Sequence, residues 1–126
     1  MQSSRAQRCF TPPHDQVRLR HIVDAAHEAI AFAEGASLDH LRANRLLLYG
    51  LVRCIEVIGE AASQVSEETR ALLPGVPWGA ATAMRNRLIH AYFDVDSERV
   101  WHTVVFELPP LVEAIEASGL LGDDSP

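Results

Sequence analysis

Apolar positions along this chain recur at helical rather than strand spacing. Val17, Ile22, Val23, Ala26, Ile30 and Ala33 keep close to a 3.6-residue period until Gly35 interrupts them. The pattern predicts a first helix over 15–34, which Asp15 can cap. Ser37 and Asp39 open a second segment. In it Leu41, Leu48, Leu51, Val52, Ile55, Ile58, Ala62 and Val65 form one apolar stripe, predicting a helix that runs to about 65. Gly50 and Gly59 lie inside that stripe. An interior glycine costs about 1 kcal/mol relative to alanine, so close helix packing is the expected reason for each.

A short helical piece over 67–73 ends at Pro74, and the turn Pro74-Gly75-Val76-Pro77 follows. Trp78 to about His90 reads as an alanine-rich fourth helix. Asp94-Val95-Asp96-Ser97 breaks the pattern, and Asp96 or Ser97 can cap a fifth helix. Val100, Trp101, Val104, Val105, Leu108, Leu111, Val112 and Ile115 carry that helix to about 118, with a kink expected at Pro109-Pro110. There is no sustained strand alternation and no internal repeat. The expected architecture is all-α, an antiparallel bundle of four to five helices over 15–118. Residues 1–14 are expected to be a flexible leader and residues 119–126 an acidic tail.

Composition narrows the chemistry. The 126 residues suit one domain, and 48% are apolar, enough for a packed core. Seventeen acidic residues face eleven basic ones for a formal charge of −6, and every basic residue is arginine. An acidic domain does not coat nucleic acid through its overall field, so any RNA or DNA role needs a local site. With no lysine, P-loop phosphate binding, Schiff bases and pyridoxal chemistry are excluded. The N-terminus lacks the apolar core of a signal peptide, and no run is long enough to span a membrane. Cys9 and Cys54 cannot form a multi-bridge framework, and Cys54 falls in the apolar pattern as a buried free thiol. These features predict a cytoplasmic protein.

The densest chemistry lies in Arg85-Asn86-Arg87-Leu88-Ile89-His90-Ala91-Tyr92. Asn86 and His90 are one turn apart and share a helical face. Arg85 stands about 140° around an ideal helix from His90. The two converge only if the helix ends or distorts near His90, or if a second subunit supplies one of them. Histidine titrates near neutrality and moves protons. The arginine fork matches phosphate oxygens and stays charged. The pair suits metal-free cleavage of RNA, in which the ribose 2′-OH attacks the adjacent phosphorus. Residue types alone leave a second reading open, a helix C-terminus whose Arg and His complement the dipole.

The segment resembles the R-x4-H-x-Y signature of the HepT-like ribonucleases of the HEPN superfamily, through Arg85, His90 and Tyr92. Ile58-Gly59-Glu60-Ala61-Ala62, Val76-Pro77-Trp78, Met84-Arg85-Asn86 with Leu88-Ile89-His90, Val100-Trp101, and Leu108-Pro109 with Leu111 resemble further family segments in the same order. The likeness covers about residues 17–117 and implies a HEPN-like helical fold. It also implies a homodimeric toxin of a type VII toxin–antitoxin pair that cleaves RNA without metal or other cofactor. Arg85 and His90 would be catalytic at a cleft between protomers, with Asn86 as a polar supporter. The implied partner is an MntA-type nucleotidyltransferase that transfers AMP to Tyr92. The leader has no counterpart in the resemblance, and the doubled proline exceeds the single one the family pattern needs.

Other residues divide between site and scaffold. By period arithmetic Arg42, Arg45, Tyr49, Arg53, Glu56 and Glu60 share a face. Arg42 and Arg45 suit a solvated face, whereas Arg53 and Glu60 are candidates for the cleft. Arg87 is either an RNA-phosphate contact or a surface charge. His14, His21, His27 and His40 have no metal-ligand spacing, so no metal is expected. His102 fits a surface or boundary position, and Trp78 and Trp101 fit core or interface anchors. Asp94 and Asp96 read as capping residues. Two alternatives stand beside the ribonuclease. One is a non-catalytic helical partner of a minimal nucleotidyltransferase, and the other is a structural dimer with a degenerate site.

Overall fold

The computed structural model describes residues 12–90 and 96–121, with side chains for all of these except 85–90. The described residues form α1 (Pro13–Ala33), α2 (Leu38–Ala43), α3 (Arg45–Ser63), α4 (Glu67–Ala71), α5 (Trp78–His90), α6 (Ser97–His102) and α7 (Leu108–Ser118). A π-helical turn over Thr103–Glu107 joins α6 to α7 in one continuous rod. The architecture is the expected all-α bundle, with no strand among the described residues.

The helix pair α1 and α3 forms the centre. Asp15 near the start of α1 meets Ser66 just beyond the end of α3, while Phe32 near the end of α1 lies against Gly50 in the second turn of α3. The two therefore run antiparallel. Helix α5 packs on α3, and α7 packs on α1. Leu19, Ile22, Leu51, Ile55, Ile58, Val100, Leu108 and Ile115 are fully buried between these rods. Each such large side chain stabilises the fold by about 1.5–3 kcal/mol relative to exposure.

Several sequence expectations are corrected. The second segment is not one helix. Asn44 adopts an extended conformation at φ −123°, and its side chain accepts the Leu47 N–H at 3.0 Å, ending α2 and capping α3. A residue that hydrogen-bonds its own backbone competes with helix continuation, and the apolar stripe runs across such a break without registering it. The stripe on α1 also differs. Val17 is half-exposed, and Leu19, Ile22, Ala26 and Ala29 take the core side. Asp15 caps nothing. The helix starts at Pro13, a first-turn position that proline tolerates because its missing N–H would lie unpaired there.

Asp15 is instead buried. It accepts hydrogen bonds from the Ser66 N–H at 3.1 Å and from the Ser66 and Thr69 hydroxyls at 2.5 Å each. Burial pushes its carboxyl up. The hydrogen bonds from Ser66 and Thr69, together with His14, outweigh that and hold it below the usual aspartate value. Ser66 also caps α4 by accepting the Thr69 N–H at 3.3 Å.

The irregularity from Pro109-Pro110 falls one turn earlier than expected. Both prolines sit in the first turn of α7, where they have no N–H to offer the carbonyls a turn before them. The preceding turn is widened, and the Leu108 N–H bonds to Thr103 O, five residues back. Gly50 is not a site of close approach either, since a Cβ there would meet the Phe32 ring at an ordinary 3.7 Å. Gly35 and Gly119 do use glycine's freedom, at φ 79° and 77°, to end α1 and α7. After Gly119 the chain turns inward and buries Leu120, while residues 122–126 of the tail and 1–11 of the leader lie outside the described residues.

Candidate active site

The motif helix α5 is fastened at its start. Arg70 donates from Nε to Val65 O at 3.1 Å and from Nη2 to Ala62 O at 2.9 Å, satisfying carbonyls at the end of α3. Its guanidinium also lies 5.5 Å from the centre of the Trp78 ring. Trp78 donates its indole N–H to Leu73 O at 3.2 Å. One arginine thus ties the end of α3 to the first residue of α5. Ala81 and Met84 then bury against the core and set the rotation of the helix.

The backbone stays α-helical through His90. Counted round the axis from Met84, position 85 stands at about 100°, position 86 at about 200° and position 90 at about 240°. Asn86 and His90 therefore stand away from the core side, one turn apart. Arg85 and His90 keep the ideal separation of about 140°, and no distortion before His90 draws them together. The Arg87 position stands about 60° from Met84 on its other side. Tyr92 and Asp94 lie outside the described residues.

Arg53 is exposed, 3.8 Å from Glu56, and lines an open groove between α1 and α3 with His21, Asp24, Glu28 and Cys54. Glu60, two turns further along α3, is also exposed. Cys54 is buried, as expected. Burial and the neighbouring Glu28 carboxylate, 3.6 Å from the sulfur, push its thiol up to about 11, so it stays protonated at neutral pH. Arg42 bridges Asp39 at 3.6 Å and Glu98 at 3.7 Å, linking α2 to α6. Arg45 donates to the Tyr49 hydroxyl and lies 5.3 Å from its ring centre. The break at Asn44 separates Arg42 from the face that Arg45, Tyr49 and Arg53 share.

Asp96 caps α6 through the Arg99 N–H at 3.2 Å, as the sequence suggested. His27 pairs with Glu116 at 2.9 Å, joining α1 to α7, and His14 contacts Gln64 O at 3.2 Å. His102 lies 3.8 Å from Glu107, its ring 5.1 Å from that of Phe106. Among the described residues no group of three or more His, Cys, Asp or Glu could hold a metal ion. No described helix is long and apolar enough to cross a membrane. Sequence reading missed Phe106 and Glu107, which the widened turn presents beside α5; the doubled proline just after them was the available signal.

Comparison with known proteins defines the class. Residues 10–118 match the family described as Ribonuclease HepT-like. A protein of Methanocaldococcus jannaschii named "Putative RNase MJ1216" is 34% identical over 98 residues, covering 78% of this chain and 81% of that protein. "Putative RNase TTE0752" of Caldanaerobacter subterraneus subsp. tengcongensis is 33% identical over 98 residues, covering 78% and 88%. "Probable ribonuclease HepT" of Thermococcus cleftensis is 31% identical over 93 residues, covering 74% and 84%. No solved structure is significantly similar to the chain. The helical bundle and the motif on α5 thus define a HEPN-like protein. The chain belongs to the HepT-like ribonuclease family.

Proposed function

We propose that this chain is the toxin of a type VII toxin–antitoxin pair and a metal-independent endoribonuclease of the cytoplasm. In the proposed reaction the RNA 2′-OH attacks the adjacent phosphorus and the 5′-oxygen of the next nucleotide leaves. His90 takes the proton from the nucleophile or returns one to the leaving oxygen. Arg85 stabilises the charge growing on the phosphoryl oxygens, and Asn86 supports the site by hydrogen bonding. Arg53 and Arg87 add positive charge for flanking phosphates, and Glu60 lines the cleft.

The observation that carries this reading is the family match across 10–118, which includes the whole motif helix. The uninterrupted helix adds a physical reason for a dimer. Positions 85 and 90 of one chain are separated by about 140° round that helix, which favours a site completed by a second copy facing the first. The antitoxin in this reading is an MntA-type nucleotidyltransferase that transfers AMP to Tyr92. The added bulk and negative charge beside the phosphate site exclude RNA.

The test is incubation of purified, unmodified protein with RNA in EDTA. Cleavage is expected to persist, and His90→Ala is expected to lower its rate by about 10²–10⁴. Intact RNA after long incubation with the wild type would overturn the enzyme and favour a non-catalytic partner subunit. An active His90→Ala variant would overturn the residue assignment.

A further inference from the structure

A groove of about 470 Å³ runs beside α5, between that helix and the π-helical turn with the start of α7. Its α5 side is Pro77, Ala81 and Met84, and its opposite side is Phe106, Glu107 and Pro110. Its volume falls in the range of small-molecule sites, about 300–1,000 Å³. Phe106 is 63% exposed, an unusual state for a phenylalanine, with its ring 5.1 Å from that of His102. Among these groove residues Glu107 is the one with a charged side chain. Its Oε1 is buried without a hydrogen-bond partner, and its Oε2 lies 3.8 Å from His102. A buried carboxylate oxygen without a donor is costly, and a turn of the carboxylate toward the groove lets an N–H group there satisfy it.

Position matters as much as chemistry. Met84 directly precedes Arg85, and His90 lies six residues beyond Met84, about 9 Å along the axis at 1.5 Å per residue. The groove therefore shares the motif helix but lies on its Met84 side, about 120° round the axis from His90. An apolar cleft with an exposed aromatic ring takes a flat, unstacked base. A carboxylate is an acceptor only. Guanine alone presents two adjacent donors, N1–H and the 2-amino group, on its Watson–Crick edge. Cytosine and adenine set one amino group beside a ring-nitrogen acceptor, and uracil flanks its single N–H with two carbonyls.

We propose that this groove is a base-recognition subsite selective for guanine, with Phe106 as the stacking platform and Glu107 as the specificity-determining acceptor. The proposal deepens the ribonuclease reading and rests on it for the identity of the ligand as RNA. The doubled proline explains how the site is built, because the π turn it imposes is what carries Phe106 and Glu107.

The test is binding of the four nucleoside 3′-monophosphates, followed by NMR shifts of the protein, together with sequencing of cleavage ends from a random RNA pool. Guanosine monophosphate is expected to bind about tenfold tighter than the others, or better, with shifts at the Met84 methyl group and the Phe106 ring. Glu107→Gln, nearly isosteric, is expected to bring the four affinities together. Phe106→Leu is expected to weaken all four while leaving their ratio. Equal affinities in the wild type, or a guanine preference unchanged in Glu107→Gln, would overturn the subsite. So would loss of binding to a partner protein in Phe106→Leu with no nucleotide shifts at the groove, which would make this face a protein-docking surface. The two readings fail separately. Guanine selectivity with no RNA cleavage sinks the ribonuclease and keeps the base site, while cleavage without base preference does the reverse.

Discussion

The Thr69 hydroxyl donates a 2.5 Å hydrogen bond to the buried Asp15 carboxylate, joining positions 54 residues apart. With Ser66 on the same carboxylate, the start of α1 is locked to the start of α4.

Removing that carboxylate leaves three donors facing a hole. Asp15→Ala is expected to destabilise the fold by about 1–3 kcal/mol. The folded carboxyl titrates below the usual aspartate value, so its contribution is complete above the unfolded pKa of about 3.9 and is lost as pH falls through the lowered folded value. Urea melts of the two proteins should therefore keep a constant separation from pH 7 down to about 5 and draw closer as the pH falls further. Separation that widens as the pH falls, or that grows toward alkaline pH, would contradict the assignment.

Arg70 does work that lysine cannot repeat. Its planar fork reaches the Ala62 and Val65 carbonyls while its face covers Trp78. Arg70→Lys keeps the charge but is expected to cost about 1–2 kcal/mol, near that of losing one charged hydrogen bond. Trp78 fluorescence should shift in the folded variant. A variant with unchanged melting and emission would show the bridge to be incidental.

Gly50 offers a stabilising change. A Cβ there has ordinary clearance from Phe32, and the position is helical and interior to α3. Gly50→Ala should stabilise the protein by about 0.5–1 kcal/mol, raising Tm by a few degrees. A lower Tm would mean that the Phe32 ring cannot give way.

Tyr92 separates catalysis from neutralisation under the proposed pathway. Tyr92→Phe should cut RNA at close to the wild-type rate yet gain no AMP when co-expressed with the nucleotidyltransferase. Growth arrest should persist despite the antitoxin. Intact mass measurement of the co-expressed protein reads this directly, and AMP mapped to another residue in the wild type would refute the assignment.

Periodicity alone was enough for the bundle. Apolar residues at helical spacing have one low-energy use, and Leu51, Ile55 and Ile58 take it in α3 as their spacing requires. The motif helix and the resemblance at Arg85, His90 and Tyr92 were also legible, because chemistry at fixed spacing within one segment is local. What the sequence could not decide involves partners far along the chain or competition within one turn. Asp15 looked like a helix cap because caps are local, whereas Ser66 and Thr69 reach it only after α1 and α3 pack antiparallel. Asn44 split an apparently continuous stripe because side-chain capping of Leu47 outcompeted one more helical turn. Pro109 and Pro110 announced an irregularity, but only the continuous rod showed that it widens the turn before them. That turn brings Phe106 and Glu107 beside Met84 of α5, more than twenty residues away in sequence, through packing that no local pattern encodes.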